Sequence, residues 1–236
     1  MSDPSIFWFR HDLRLTDLPG LAAAAQKGPV IPVFIFDEQL GGDWALGGAS
    51  RWWLHYSLQS LADSIEQLKG RLVIRTGDTA NTLAALVDET GATSVYCSRQ
   101  YQPWADPLER QVKTTLEQQG VFFKRYPGTL LFEPEAITTG SGTPFKVFTP
   151  FWRACLKQPD PALPIGVPAL AFPEQWPDSL TIDALTLRPT KPNWAAGWED
   201  LWQPGEEGAG DALAAFLQAR VKDYGDGRDF PGETNT

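Results

Sequence analysis

The chain has few of the side chains that bind metals or form disulfides. Its 236 residues include two cysteines, Cys97 and Cys155, and two histidines, His11 and His55. Two cysteines this far apart exclude a disulfide framework and a cysteine-type zinc site, and they predict buried, reduced thiols in a cytoplasmic protein. Neither histidine has a carboxylate, serine or cysteine partner at motif spacing. We therefore expect structural or surface roles for both histidines, and no metal site.

Long apolar runs and basic clusters are also missing. No apolar segment is long enough to span a bilayer, and no basic segment followed by an apolar one opens the chain as in a secretory signal. The chain contains 20 Lys and Arg residues and 29 Asp and Glu residues, which gives a net charge of −9. A surface that neutralises DNA phosphates normally carries a basic patch. The chain by itself is therefore not predicted to bind a membrane or duplex DNA.

Motifs of phosphate binding and catalysis are lacking as well. There is no Walker A sequence, and the glycines at 41–42 and 47–48 do not have dinucleotide-binding spacing. The glycines within 139–145 have no lysine in register. No catalytic triad or paired-carboxylate motif is present, so no catalytic residue is predicted.

What is present indicates a packed α/β domain. Hydrophobic residues make up 42% of the chain and aromatic residues 12%, enough for a sizeable core. Five short β-branched or aromatic runs are predicted to be strands. They are Ser5–Phe9, Val30–Asp37, Arg71–Thr76, Thr93–Ser98 and Val121–Tyr126.

Amphipathic helices are predicted between these strands. They begin near Pro19, at Ser50 as an N-cap, before Leu83 and near Trp104, and they end near Gly28, Gly70, Gly91 and Gly120. Alternating strands and helices of this length predict a doubly wound, Rossmann-like five-stranded parallel sheet. A ligand crevice is expected at the carboxyl ends of its strands.

The pattern changes after about residue 134. Residues 158–205 contain nine of the 20 prolines and several tryptophans. A flexible linker would be poor in tryptophan, so the segment is predicted to pack against something while lacking regular structure. Residues 210–224 then read as a helix with an apolar stripe formed by Leu213, Phe216, Leu217 and Val221. Little chain remains to cover that stripe, so we expect a missing neighbour.

Three segments resemble the photolyase/cryptochrome family in the same order. They are FWFRHDLRLTD at 7–17, FKVFTPFWRACL at 145–156 and YGDGRDFPGET from 224. The resemblance, which is strongest to class I photolyases of cyclobutane pyrimidine dimers, covers almost the whole chain. It implies an α/β domain at 4–133, an interdomain linker at 134–204 and, at 205–236, the start of a truncated all-helical domain that binds FAD.

In this family, light-excited reduced FAD donates an electron to a pyrimidine dimer flipped out of DNA. The resemblance implies that Tyr224 and Thr236 belong to a partial FAD site and that Arg228 lies near the DNA backbone. DNA containing a pyrimidine dimer would then bind through the missing helical domain. A chain that stops here would be inactive alone, and the complete protein is expected to be a monomer.

The family also implies an antenna chromophore in the α/β domain. The positions that match its deazaflavin-type pocket are Phe36, Asp37, Arg51, Gln100 and Tyr101. A folate is the other possibility, although Trp104 and Ala105 replace the Asn–Glu pair that binds folate in some members. Arg51 near a helix N-terminus would suit an anionic group, or it could simply pair with a surface acid.

Several functions remain open from the sequence. The same architecture serves cryptochromes, which signal blue light instead of repairing DNA. A stand-alone module that binds a chromophore or nucleotide is a third possibility, and a generic nucleotide-binding α/β protein a fourth. An assay of dimer repair by the complete protein separates a photolyase from a cryptochrome. A pigment bound to the purified chain would favour the stand-alone module.

Overall fold

The computed structural model describes residues 3–230 and 232 and shows one five-stranded parallel sheet. Its order is β3-β2-β1-β4-β5. The strands are β1 (Ser5–Phe9), β2 (Val30–Phe36), β3 (Val73–Thr76), β4 (Ser94–Ser98) and β5 (Phe122–Tyr126). Every strand lies within about two residues of its predicted bounds, as expected for boundaries read from a pattern. The predicted doubly wound sheet is confirmed.

Helices cover both faces of the sheet. Those between the strands are α1 (Pro19–Lys27), α2 (Gly48–Gln67), α3 (Thr79–Thr90) and α4 (Ala105–Gln118); α5 (Phe148–Cys155), α6 (Glu206–Ala219) and α7 (Tyr224–Gly227) follow. On β1, Ile6 and Trp8 pack with α3 and α4, whereas Phe7 and Phe9 pack with α1 and α2. Successive strand residues face opposite sides, so both faces of β1 are buried. Within the described residues, no helix has the length and hydropathy required to cross a bilayer.

Three local predictions are wrong. Helix α2 begins at Gly48 with Gly47 as N-cap, so Ser50 lies inside the first turn and does not cap it. The final helix was expected over 210–224, but α6 already ends at Ala219 and a short helix, α7, follows separately. Both cysteines were predicted to be buried, but Cys155 on α5 is only half-buried. Cys97 is fully buried, which raises the pKa of its thiol to about 12.

The proline-rich segment packs along the sheet, as predicted. The backbone N–H of Val30 donates to the carbonyl of Ala171 at 2.8 Å. Farther along the proline-rich segment, the N–H of Leu180 donates to the carbonyl of Ile74 at 3.0 Å, and the N–H of Ile74 donates to Ser179 Oγ at 2.9 Å. The bond at Val30 lies at the start of β2, and the two bonds at Ile74 pair backbone groups of the edge strand β3 that would otherwise face solvent.

Aromatic rings fasten the end of this segment to α2. The ring of Trp198 lies edge-on to Trp52 and to Trp194, with centroids 5.3 Å apart in both pairs. Trp202 contacts Trp53 at 5.9 Å, and the Tyr56 hydroxyl donates to Glu199 Oε1 at 2.7 Å. The tryptophans that follow the prolines are therefore packing residues of the linker.

His55 on α2 predicts a pH dependence of stability. Burial, and secondarily the charge of Arg188, lower the pKa of His55 below its ordinary 6.5, while Asp183 opposes the shift. The unfolded chain therefore binds this proton more readily, and stability is lost as the pH falls through 6.5. Between pH 7 and pH 5 the wild type should lose more unfolding free energy than His55→Gln, measured by urea denaturation. Equal losses would contradict this.

Candidate functional site

A cavity lies at the carboxyl edge of the sheet, where the strand order reverses between β1 and β4. It encloses about 100 Å³ and is bordered by the ends of β1, β2 and β4. A wider cleft of about 810 Å³ shares Phe36, Asp37 and Trp104 with it and continues toward the start of α3. Crevices at such reversal points are where doubly wound sheets bind ligands. Together the two spaces have the size of a small-molecule site.

Four of the five predicted antenna residues line the cavity: Phe36, Asp37, Arg51 and Gln100. The fifth, Tyr101, lines neither space. Its hydroxyl donates to Glu133 Oε1 at 2.6 Å, and burial together with this bond raises the pKa of the phenol. Tyr101 thus fastens the segment after β5 to the end of β4.

Asp37 uses both carboxylate oxygens within the protein. Oδ2 accepts from the backbone N–H and the hydroxyl of Thr79, both at 3.2 Å, and Oδ1 accepts from the N–H of Gln39 at 3.1 Å. The residue therefore ties the end of β2 to the first turn of α3. Its contribution to the cavity is to fix the shape of the wall.

Arg51 lies over Phe36 at the rim. Its guanidinium carbon is 5.6 Å from the ring centroid, and its Nε donates to the carbonyl of Leu46 at 3.0 Å. Its Nη1 is 3.7 Å from Glu38 Oε1. The contact with Glu38 agrees with the reading of Arg51 as an arginine paired with a surface acid. Arg51 also lines the cavity, and its role toward an anionic ligand stays a prediction.

Trp104 borders the cavity and does not belong to the core. It is the N-cap of α4, half-buried, outside both core clusters, and it lines the cavity and the cleft. Trp44, which is 78% exposed, also borders the cavity. Trp104 directly precedes the first residue of α4 and follows the end of β4. This position was the feature of the sequence that indicated a residue at the ligand crevice.

A buried charge cluster that the sequence did not reveal supports the floor of the site. Glu109 on α4 is 1% exposed and accepts from Arg10 after β1 and from Arg125 on β5. The backbone N–H of Gln100 also donates to it, at 3.4 Å. Arg10 and Glu109 are 99 positions apart, so only the fold brings them together.

The residues implied for FAD and DNA lie at the carboxyl end of the described chain. The Tyr224 ring contacts Phe216 with centroids 5.5 Å apart, and Arg228 Nε is 3.8 Å from Asp229 Oδ1. Both side chains are exposed, and neither lines the two spaces above. Thr236 lies outside the described residues.

Residues 5–169 match the protein family described as DNA photolyase. The chain belongs to the DNA photolyase family. A deoxyribodipyrimidine photo-lyase of Agrobacterium fabrum is 44% identical over 99% of this chain and 48% of its own length. Cryptochrome-2 of Arabidopsis thaliana is 35% identical over 95% of the chain and 38% of its own length.

The fold of a solved photolyase agrees with this family assignment. The crystal structure of a bacterial class III photolyase from Agrobacterium tumefaciens superposes with a TM-score of 0.94 at 43% identity, covering 100% of this chain and 49% of that one. That relative is of class III, whereas the motifs indicated class I, so the assignment stands at the level of the family. The chain spans about half the length of these photolyases, or less for the cryptochrome.

Proposed function

We propose that this chain is the antenna-binding α/β part of a light-dependent DNA-repair enzyme. In this proposal, 4–133 form the antenna domain, 134–204 the interdomain linker and 205–236 the start of a helical FAD domain. The cavity and cleft hold a light-harvesting deazaflavin or folate. The single observation that carries the proposal is a ligand-sized space at the strand-order reversal of a photolyase-family domain.

The walls of this space fit a flat, conjugated molecule. Phe36, Trp44 and Trp104 supply aromatic surface, and the lining also includes two cationic residues, Arg10 and Arg51. Ligand pockets typically combine such apolar and aromatic walls with a few fixed polar groups that orient the ligand. A pigment with ring carbonyls can use both kinds of contact.

The complete enzyme would split cyclobutane pyrimidine dimers by electron transfer from reduced FAD. Support comes from the relatives named photo-lyase and from apolar faces that the described residues leave open. On α5, Phe148 and Trp152 are exposed, and on α6 Leu213 and Leu217 are exposed. A helical domain packed there would bury them.

In the same proposal, Tyr224 and Thr236 contribute to the FAD site, and Arg228 lies near the DNA backbone. The 236-residue chain would not repair DNA alone, because one tyrosine and one hydroxyl do not enclose an isoalloxazine. FAD retained stoichiometrically by the purified chain through gel filtration would refute this part.

A cryptochrome is the second candidate function, favoured by the 35% identity to Cryptochrome-2. The two candidates differ in the chemistry of the complete protein. Illuminating that protein with DNA that contains pyrimidine dimers tests them directly, since a photolyase restores the bases and a signalling cryptochrome does not. A stand-alone module that binds a chromophore or nucleotide is the third candidate.

Replacing Trp104 with alanine should weaken pigment binding about tenfold, because aromatic stacking contributes roughly 1–3 kcal/mol per ring. Fluorescence titration of the purified chain with 5-deazariboflavin and with methenyltetrahydrofolate measures the dissociation constants. Trp202→Ala, which removes an exposed ring outside the cavity, is the matched control and should bind as the wild type does. Unchanged binding by Trp104→Ala would exclude this cavity as the antenna site.

A further inference from the structure

The first residue of α6, Glu206, bonds to the loop that follows β1. Its Oε2 accepts from the backbone N–H of Leu15 at 2.8 Å. Its Oε1 accepts from the N–H of Thr16 at 3.1 Å and from the Thr16 hydroxyl. Three donors of two consecutive residues therefore converge on one carboxylate. Hydrogen bonds to an ionised acceptor are roughly twice as strong as those between neutral groups.

The loop that carries these donors is held in shape by bonds that involve no residue of α6. Asp17 has a left-handed φ of +52°, and its N–H donates to the carbonyl of Ile165 at 2.8 Å. Arg14 donates to the carbonyls of Thr16 and Asp17, at 3.0 and 3.1 Å, and to the carbonyl of Gly128. The N–H groups that meet the carboxylate are therefore oriented before α6 docks.

Beyond its first turn, α6 is largely uncovered by the described residues. From 209 to 219 every residue is exposed except Phe216, which is half-buried. A cleft of about 850 Å³ is lined by Leu213 of α6 and by Trp53 of α2, so the helix does not lie flat on α2 there. At the amino end the two elements touch closely, because a Cβ at Gly205 would collide with the side chain of Ser60. The direction of α6 therefore depends on the contacts around its first turn.

We propose that Glu206 is the positioning residue that sets the orientation of α6 on the α/β domain. The inference rests on the proposed function in one step: there α6 begins the helical FAD part, so this contact fixes where that part starts relative to the antenna cavity. The β1 end of the same stretch of chain, at Arg10 and His11, borders that cavity. One loop therefore connects the cavity wall with the anchor of α6.

The orientation of α6 is measured as a distance between two spin labels on the purified chain. Glu66→Cys on α2 and Gln218→Cys on α6 place the labels at exposed positions, in a Cys155→Ser background. Cys97 stays in place, because a fully buried thiol with a raised pKa does not react with the label. Double electron–electron resonance of the wild type should give one narrow distance distribution.

Two neighbouring glutamates form a matched pair of variants. Glu206→Gln leaves one loop N–H facing an amide NH₂ group, which cannot accept its hydrogen bond. It should raise the ratio of undocked to docked α6 about 10-fold to 100-fold, the range for lost hydrogen bonds to a charged group. Glu207→Gln makes the same chemical change at an exposed residue that borders a separate cleft beside Tyr56 and Trp202. It should stay within about threefold of the wild type.

A variant on the loop side tests the same contact from the other partner. Thr16→Val removes the hydroxyl donor, keeps the backbone N–H, and should raise the ratio roughly threefold to tenfold. Added to Glu206→Gln it should change little further, because both substitutions act through one contact. Cooperative unfolding in urea shows that the α/β part is folded in each variant. If Glu206→Gln does not fold, Thr16→Val decides.

The outcomes for α6 are independent of pigment, FAD and DNA. Equal ratios for Glu206→Gln and Glu207→Gln overturn the inference, and so does a wild-type distribution as broad as that of Glu206→Gln. A full additional effect of Thr16→Val in the double variant overturns it as well. In each of these cases the proposed function stands. A chain that binds no pigment refutes the proposed function, while the label distances still decide the role of Glu206.

Discussion

Replacing Glu109 with glutamine should lower the free energy of unfolding by about 3 kcal/mol, the lower end of the range for breaking a buried ion pair. Glu109 is 1% exposed and is the acceptor for both Arg10 and Arg125. Arg125 is 37% exposed and can regain water, but Arg10 is 4% exposed and cannot. The loss therefore comes mainly from leaving the charge of Arg10 buried without a counter-ion.

The same helix provides a control for this prediction. Glu117 on α4 pairs with Lys113 at 3.6 Å, and both side chains are about 60% exposed. Glu117→Gln makes the identical chemical change at the surface and should alter stability by less than about 0.5 kcal/mol. Urea denaturation of both variants measures the difference. Equal stabilities for the two variants would mean that water or a rearrangement compensates Arg10.

The second large effect is expected for Trp52→Ala, which should lower the free energy of unfolding by about 3–5 kcal/mol. Trp52 is 2% exposed and is among the largest fully buried side chains. It contacts Tyr56 on its own helix, with centroids 4.7 Å apart, and Trp198 of the linker at 5.3 Å. Alanine removes the core side chain and the surface on which Trp198 packs.

The loss of Trp52 should also release the linker. Limited proteolysis within residues 190–204 should become faster in Trp52→Ala than in the wild type, because local opening follows from the lost contacts. Trp53→Ala, one position along α2 at a side chain that is 44% exposed, removes only the ring that Trp202 contacts. It should cost about 1 kcal/mol and raise the proteolysis rate less than Trp52→Ala does. Proteolysis at wild-type rates in Trp52→Ala would show that the linker is held elsewhere.

Local patterns were sufficient to predict the sheet. Each strand is a short β-branched or aromatic run, and helices α3 and α4 end next to Gly91 and Gly120, which have φ of +67° and +73°. Glycine adopts this left-handed conformation without steric strain, so it marks a helix end in the sequence itself. The start of α2 could not be predicted in the same way, because the sequence does not show whether Ser50 is the N-cap or lies inside the first turn. Its N-cap is Gly47.

The candidate site was only partly predictable. Phe36, Asp37, Arg51 and Gln100 were implied by the resemblance to the family, and all four line the cavity. Tyr101 follows β4 as well, yet its hydroxyl bonds to Glu133, 32 positions away. Whether Trp104 packs in the core or borders the cavity depended on the fold, because the helical stripe does not show that an N-cap residue lies outside the core.

The sequence by itself determined the order of the helices and strands, the burial of both sheet faces and the edge of the sheet at which the cavity lies. These features follow from periodicity and from parallel crossovers. Only the tertiary structure decided which polar groups meet at that edge. Arg10 and Glu109, 99 positions apart, become partners through the winding of the chain around the sheet. Among the residues that the structure describes, one guanidinium nitrogen of Arg10 is buried without a hydrogen-bond partner. A hydrogen bond between distant residues has no local signature in the sequence.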